Sequence, residues 1–350
     1  MSGEAHGGLH PTELRALGLD PAEVLDFSVN VNPYGPAPGV RAELAAYDPS
    51  SYPDREVSDL RASLAHLNGV DLEQVVVGNG TAELIWLAAH AFLRERRALI
   101  IGPTFGEYER AASVVGAQVE DLVLPPPDFA METTELLSRL RAARADVVFL
   151  CNPNNPTGGL LDDTVVLEIA DACAPGLLIL DEAYRAFVTL NPFGPLPAEN
   201  CIVMRSMTKD FAIPGVRLGY ALAAPEYAAQ LLRYQPPWSV SGTAQAAGKA
   251  GLAELDYLRQ TLGQTRRLAE ELQNGLRAIG AQVVSSSTHY CLVDVSSLGG
   301  GTNWRRRLLP HGLQVRDCTS FGLPDYVRVG ARLPGQNHRL LQAWQARMND

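Results

Sequence analysis

Ser206-Met207-Thr208-Lys209-Asp210-Phe211-Ala212-Ile213-Pro214-Gly215-Val216-Arg217-Leu218-Gly219-Tyr220 holds one of only two lysines in the chain; the other is Lys249. Basic positions elsewhere in the 350 residues are arginine or histidine. A lysine amine can form a Schiff base with an aldehyde, and a guanidinium cannot take that role. A chain that uses arginine almost everywhere and keeps lysine here needs the amine. The hydroxyls of Ser206 and Thr208 and the cation of Arg217 flank it, a set that suits a phosphate. Amine, hydroxyls and cation together point to pyridoxal phosphate, an aldehyde carrying a phosphate. Lys249 lies in the small-residue run Ala246-Ala247-Gly248-Lys249-Ala250 and has no such neighbours.

The segment follows an apolar stretch, Cys201 to Met204, that reads as a buried strand. Similar strands are expected at Val75–Val77, Ala98–Ile101, 118–124, Val147–Leu150 and Leu177–Leu180. Helical patterns near 56–67, 81–94, 106–115 and 132–143 alternate with them. This alternation predicts an α/β fold with a mainly parallel sheet covered by helices. A long helical region begins after Pro236-Pro237. Strands near 281–284, 290–295, 313–316 and 326–330 follow, with helices near 303–309 and 335–348. The expected division is an arm at 1–36 joining the small domain and the active site, a large cofactor-binding domain at 37–236, and a connecting helix with a smaller α+β domain at 237–350. The arm is rich in Gly, Pro and Asn and carries one short helical pattern, Pro11 to Leu17.

Composition narrows the function classes. A hydrophobic share of 46% with 19% charged residues is that of a globular chain. The net charge of −10 leaves no basic surplus to replace counterions, so nucleic acid is not an expected partner. Cys151, Cys173, Cys201, Cys291 and Cys318 are scattered, odd in number and without a C-x-x-C pair. They predict free thiols in a reducing cytoplasm, with neither a disulfide frame nor a metal site. MSGEAHGGLH has no basic start or apolar core, so it does not read as a secretory signal. The apolar run near Leu84 to Leu93 stops at Arg94 and is too short for a membrane span.

Four polar motifs each follow a predicted strand: Gly78-Asn79-Gly80-Thr81, Asn152 to Gly158, Asp181 to Tyr184, and Ser206 to Lys209. Ligands of open α/β sheets sit beyond the carboxyl ends of the strands, so these motifs are expected to converge. Gly80-Thr81-Ala82 opens a helix whose free amides suit a phosphate. A G-x-G also fits a nicotinamide site, but Glu83 breaks that fingerprint. Asp181 can hold a pyridine nitrogen protonated, which makes the ring an electron sink; its alternative is a cap. Asn155 and Tyr184 can hydrogen-bond the ring 3-oxygen, although Asn in such a string also simply forms turns. Phe105 can stack on the ring or belong to the core.

Taken in order, NPNNPTG (152–158), DEAY (181–184) and SMTKDFAIPGVRLGY (206–220) resemble the PLP-dependent class I/II aminotransferase superfamily of fold type I. The resemblance extends over essentially the whole chain. It implies that Lys209 carries the cofactor and Asp181 pairs with the pyridine nitrogen. Asn155 and Tyr184 would meet the 3-oxygen, and Ser206, Thr208 and Arg217 would hold the phosphate. Ser51-Tyr52-Pro53-Asp54 resembles the segment whose tyrosine reaches the cofactor phosphate of the partner subunit, which implies a homodimer with shared sites.

Two neighbouring families are most similar, the threonine-phosphate decarboxylases of cobalamin biosynthesis and the histidinol-phosphate aminotransferases. His6-Gly7-Gly8 with Leu25 to Pro33, Pro237-Trp238-Ser239-Val240, and Val315 to Cys318 with Tyr326 to Arg332 look more like the former. Tyr34 and Tyr184 fit the latter, where the tyrosine at position 34 would contact substrate phosphate. Arg316 and Arg328 match residues for the substrate's anionic groups, and His6 and Asn30 would close over the phosphate. The expected reaction is decarboxylation of O-phospho-L-threonine to (R)-1-aminopropan-2-yl phosphate. The alternative is transamination of histidinol phosphate with glutamate.

Overall fold

The computed structural model describes residues 7–189 and 191–348. A short first strand, β1 (Leu25–Asp26), precedes seven that form the main sheet. These are β2 (Val75–Gly78), β3 (Arg97–Gly102), β4 (Gln118–Val123), β5 (Val147–Cys151), β6 (Leu177–Asp181), β7 (Cys201–Ser206) and β8 (Gly219–Leu222). Their order is β2-β8-β7-β6-β5-β3-β4. Only β8 runs antiparallel, to both β2 and β7. The fold is therefore the mixed α/β architecture with a mainly parallel sheet that the alternation predicts.

Both faces of the sheet are covered, and the strand residues divide between the two sides with period two. Val148, Leu150, Leu178, Leu180, Cys201 and Val203 join one apolar cluster. Val147, Phe149, Leu177, Ile179, Ile202 and Met204 join the other. Near-continuous apolar strands are what a doubly covered parallel sheet requires. Each buried Leu, Ile or Val side chain contributes about 1.5–3 kcal/mol over leaving it exposed.

The remaining strands are β9 (Gln282–Val283), β10 (Tyr290–Asp294), β11 (Leu313–Gln314), β12 (Arg316–Asp317) and β13 (Tyr326–Gly330). An antiparallel sheet of order β12-β13-β10-β9 packs over the helices Leu255–Ala278 and Pro334–Met348. The single strand expected at 313–316 is two strands. β11 pairs with β1, β12 pairs with β13, and buried Val315 marks the change of partner. The long helical region after Pro237 begins at Gly242, capped by Ser241, and divides at Glu254. Helices Pro38–Ala46 and Pro225–Tyr234, each opened by a proline at its start, were not anticipated.

The N-terminal stretch is tied into this second layer. β1 runs parallel to β11, and Phe27 enters the apolar cluster of Trp304 and Trp344. Beyond β1 the chain turns toward the main sheet, where the Asn32 amide donates to the Lys209 carbonyl at 2.9 Å. All five cysteines are buried free thiols. Among the described residues no helix is long and apolar enough to cross a membrane, and no cluster of His, Cys, Asp or Glu is placed for a metal ion.

Candidate active site

The carboxyl ends of the parallel strands open on a cavity of about 640 Å³. From the side of the main sheet it is lined by Ala82, Phe105, Asn155, Tyr184, Lys209 and Arg217. The opposite wall includes Asn30, Arg316, Arg328 and Arg332. The topology explains the meeting. β5, β6 and β7 are neighbours, so the loops that follow them bring Asn155, Tyr184 and Lys209 together.

Burial, with the nearby cations of Arg328 and Arg217, brings the Lys209 amine down to about 8, with Asp181 opposing. A lysine in that range gives up its proton far more readily than an ordinary one and supplies the free amine an aldehyde needs as pH rises through about 8. Lys249, by contrast, is half exposed and ion-paired with Asp59 at 2.5 Å.

Asp181 ends β6 and is almost fully buried. One of its oxygens accepts from the Tyr108 hydroxyl at 2.7 Å and the other from the Ala183 amide at 2.9 Å. Burial pushes its carboxyl above the usual range, and those two donors oppose the shift. Among the described residues it forms no ion pair. A buried carboxylate so held favours a cation set against it, such as a protonated pyridine nitrogen.

Helix Gly80–Phe92 points its first turn at the cavity through Ala82. Gly80 has φ +74°, and a Cβ there would lie 2.7 Å from the Arg217 guanidinium. Glycine thus admits the arginine to the helix N-terminus, a suitable pairing for a phosphate. Arg217 also donates to the Pro214 carbonyl at 3.1 Å. Ser206 and Thr208 are buried with hydroxyls 2.7 Å apart. These two, with Gly80, Thr81 and Asp181, are not among the residues that line the cavity.

Asn155 Oδ1 accepts from Arg328 Nη1, and Arg328 Nη2 donates to the Ser28 carbonyl at 2.6 Å. The Tyr184 hydroxyl accepts from Asn30 Nδ2 at 3.4 Å, and burial pushes it to about 12 despite nearby Arg328. Arg316 donates to Ser320 Oγ at 2.6 Å and lies over the Phe321 ring. Arg316 and Arg328 are direct cross-strand partners on β12 and β13. Like charges so placed repel, and an anion between them relieves the repulsion. Arg328 Nε and Asn30 Oδ1 are buried without a hydrogen-bond partner.

Three of the expected site residues are not among those that line this cavity, and for Tyr52 that agrees with a role at the partner subunit's site. Tyr34 does not line the cavity. Its side chain packs against the cluster of Phe27 and Trp304, and its carbonyl accepts from the Tyr257 hydroxyl at 3.3 Å. Tyr52 is 83% exposed and its ring lies 4.9 Å from that of Trp238, away from the cavity of its own chain. His6 lies outside the described residues. Sequence reasoning also missed Tyr108, Glu107, Arg110 and Arg332. Tyr108 follows Phe105 by three residues in the loop and helix after β3, a position that the strand-end argument could have flagged.

The group implied by these residues is pyridoxal 5′-phosphate, and the donor set fits it. A lysine with a lowered pKa, a buried carboxylate lacking an ion pair, and an arginine at a helix N-terminus match its aldehyde, ring nitrogen and phosphate. Sequence similarity agrees. Residues 22–343 match the Aminotransferase class I and II family. The chain is 35% identical to the threonine-phosphate decarboxylase of Salmonella typhimurium, covering 97% of this chain and 95% of that protein. It is 31% identical to the histidinol-phosphate aminotransferase of Symbiobacterium thermophilum, covering 96% and 93%. The crystal structure of histidinol-phosphate aminotransferase from Clostridium acetobutylicum is similar with a TM-score of 0.83 at 26% identity, covering 93% of this chain and 100% of that one. The chain belongs to the class I and II aminotransferase family and is a pyridoxal 5′-phosphate-dependent enzyme of fold type I.

Proposed function

We propose that this enzyme decarboxylates O-phospho-L-threonine to CO2 and (R)-1-aminopropan-2-yl phosphate, as a step of cobalamin biosynthesis in the cytoplasm. The observation that carries the reading is the Arg316–Arg328 pair, in register on neighbouring strands and facing the cavity that holds Lys209. A substrate with both a carboxylate and a phosphate suits two arginine forks. Arg328, held against Asn155, stands on the cofactor side and takes the carboxylate. Arg316 takes the phosphate, and Asn30 lines the same cavity. Tyr34, the phosphate contact of the transamination reading, packs into the C-terminal core instead.

When bound, the cofactor supplies an electron sink for the pair left on the substrate's α-carbon. Asp181, kept in place by Tyr108 and the Ala183 amide, would hold a proton at the pyridine nitrogen. Tyr184, whose hydroxyl burial pushes to about 12, would donate to the ring 3-oxygen, as would Asn155. The bond to CO2 breaks, and one proton returns to the same carbon. Lys209 Nζ, at about 8, is poised to deliver it.

We also propose a homodimer in which exposed Tyr52 reaches the partner's cofactor phosphate. Residues 37–236 would form the cofactor domain and 237–350 the smaller one. The test supplies the holoenzyme with O-phospho-L-threonine and measures CO2, beside histidinol phosphate with 2-oxoglutarate. CO2 release with negligible transamination is expected. Robust transamination without CO2 would overturn the assignment and restore Tyr34 as the better clue.

A further inference from the structure

Arg332 lies two residues beyond β13 and four beyond Arg328. The Ala331 amide donates to the His289 carbonyl at 2.7 Å, which continues the extended chain past Gly330. Side chains alternate along such a chain, so Arg328 and Arg332 stand on the same face. Both line the cavity, with Arg316 across the strand pair from Arg328. The three differ in what holds them. Arg328 is fixed by Asn155 and the Ser28 carbonyl, and Arg316 has Ser320. Arg332 uses its backbone amide on Asn337 at 2.8 Å, but its guanidinium makes no hydrogen bond or ion pair among the described residues. Its Nε is buried and without a partner. The carboxylate whose field reaches it, Asp26, accepts at Oδ1 from the Ser28 amide at 2.9 Å and the Ser28 hydroxyl at 2.5 Å, and forms no ion pair with Arg332. Leaving a partly dry guanidinium unsatisfied costs free energy that a bound anion recovers.

We propose that Arg332 is a third substrate cation, which with Arg316 grips the phosphate and makes a doubly charged group the preferred occupant of that end. The charges then balance. A carboxylate and a phosphate of about −1.5 to −2 face three guanidinium groups, with Arg328 left to the carboxylate. The same arrangement disfavours substrates that carry a neutral or singly charged group there. The inference rests on a phosphorylated substrate but not on the choice of reaction, because both candidate substrates carry the phosphate.

The test titrates inorganic phosphate into the holoenzyme by calorimetry, with acetate as the probe of the carboxylate end. Cofactor already in place fills its own phosphate site, so added phosphate reports the substrate end. Arg332→Gln should weaken phosphate binding about tenfold or more, with acetate unchanged. Arg332→Lys should restore part of the loss. KM for O-phospho-L-threonine should rise by a similar factor in Arg332→Gln while kcat stays within about twofold. Unchanged phosphate affinity in Arg332→Gln overturns the proposal, as does an equal loss for acetate. Wild-type enzyme that binds phosphate no more tightly than acetate also overturns it. A phosphate effect of the expected size in an enzyme that makes no CO2 would leave the proposal standing and remove the decarboxylase reading instead.

Discussion

Tyr108→Phe removes one hydroxyl and leaves the ring, which stacks on Phe149 with centroids 5.1 Å apart. The lost group is the donor to Asp181 at 2.7 Å in a fully buried setting. A hydrogen bond to a charged acceptor is worth about 1.5–3 kcal/mol. Because the bond is worth more to the anion than to the neutral acid, its loss raises the Asp181 pKa further. The sign follows from linkage. Burial already holds the folded-state pKa above the unfolded value, so Asp181 favours folding when protonated and less so as pH rises through the folded pKa. In Tyr108→Phe that pKa moves further up. The stability deficit of the apoenzyme should therefore be about 1.5–3 kcal/mol above the folded-state pKa, where Asp181 is an anion. It should shrink toward the neutral hydrogen-bond value, about 0.5–1.5 kcal/mol, as pH falls through that pKa. Urea unfolding of apoenzyme over a pH series measures it. A deficit independent of pH, or none, would refute the claim that Tyr108 holds Asp181 as an anion.

Borohydride reduction of holoenzyme followed by peptide mapping should place the cofactor label on Lys209 and none on surface Lys249. Capture of the cofactor by apoenzyme should accelerate as pH rises through about 8, where the buried amine loses its proton. Arg217→Ala should weaken cofactor affinity about ten- to hundredfold in equilibrium dialysis, the value of one charge-assisted contact; unchanged retention would remove Arg217 from the phosphate site. Ile179→Ala, at a fully buried position in mid-sheet, should cost about 2–5 kcal/mol of unfolding free energy. Val114→Ala, at a 64% exposed position, should stay within about 0.5 kcal/mol, and equal effects at the two sites would contradict the packing described.

The main sheet was legible because its strands are apolar on both faces, so β5, β6 and β7 read as uninterrupted runs before polar loops. One wall of the cavity followed, since Asn155, Tyr184 and Lys209 sit after those strand ends. β8 escaped because Gly219-Tyr220-Ala221-Leu222 directly continues the Lys209 loop and runs antiparallel, against the alternation. The split of 313–316 escaped for a related reason. Local pattern shows that a stretch is extended but not that two neighbouring dipeptides pair with different strands. The position of Tyr108 after β3 was legible but its bond to distant Asp181 was not, and Arg332 was invisible because its significance lies in a missing partner. Tyr34 was placed by similarity, and packing decides where its ring goes.

The pairing of Leu25 with Leu313 has a consequence for biosynthesis. A ribosome adding about 5–20 residues per second needs roughly 15–60 s between making the two partners. Through that interval Phe27 lacks the core that later encloses it, and Asn32 must reach the Lys209 carbonyl without the β1–β11 tether. The lysine loop is thus translated well before the segment that pins its cover. Nascent chains halted before residue 313 should show Lys209 with the N-terminal segment that bonds its carbonyl still loose, open to proteases between β1 and the main sheet.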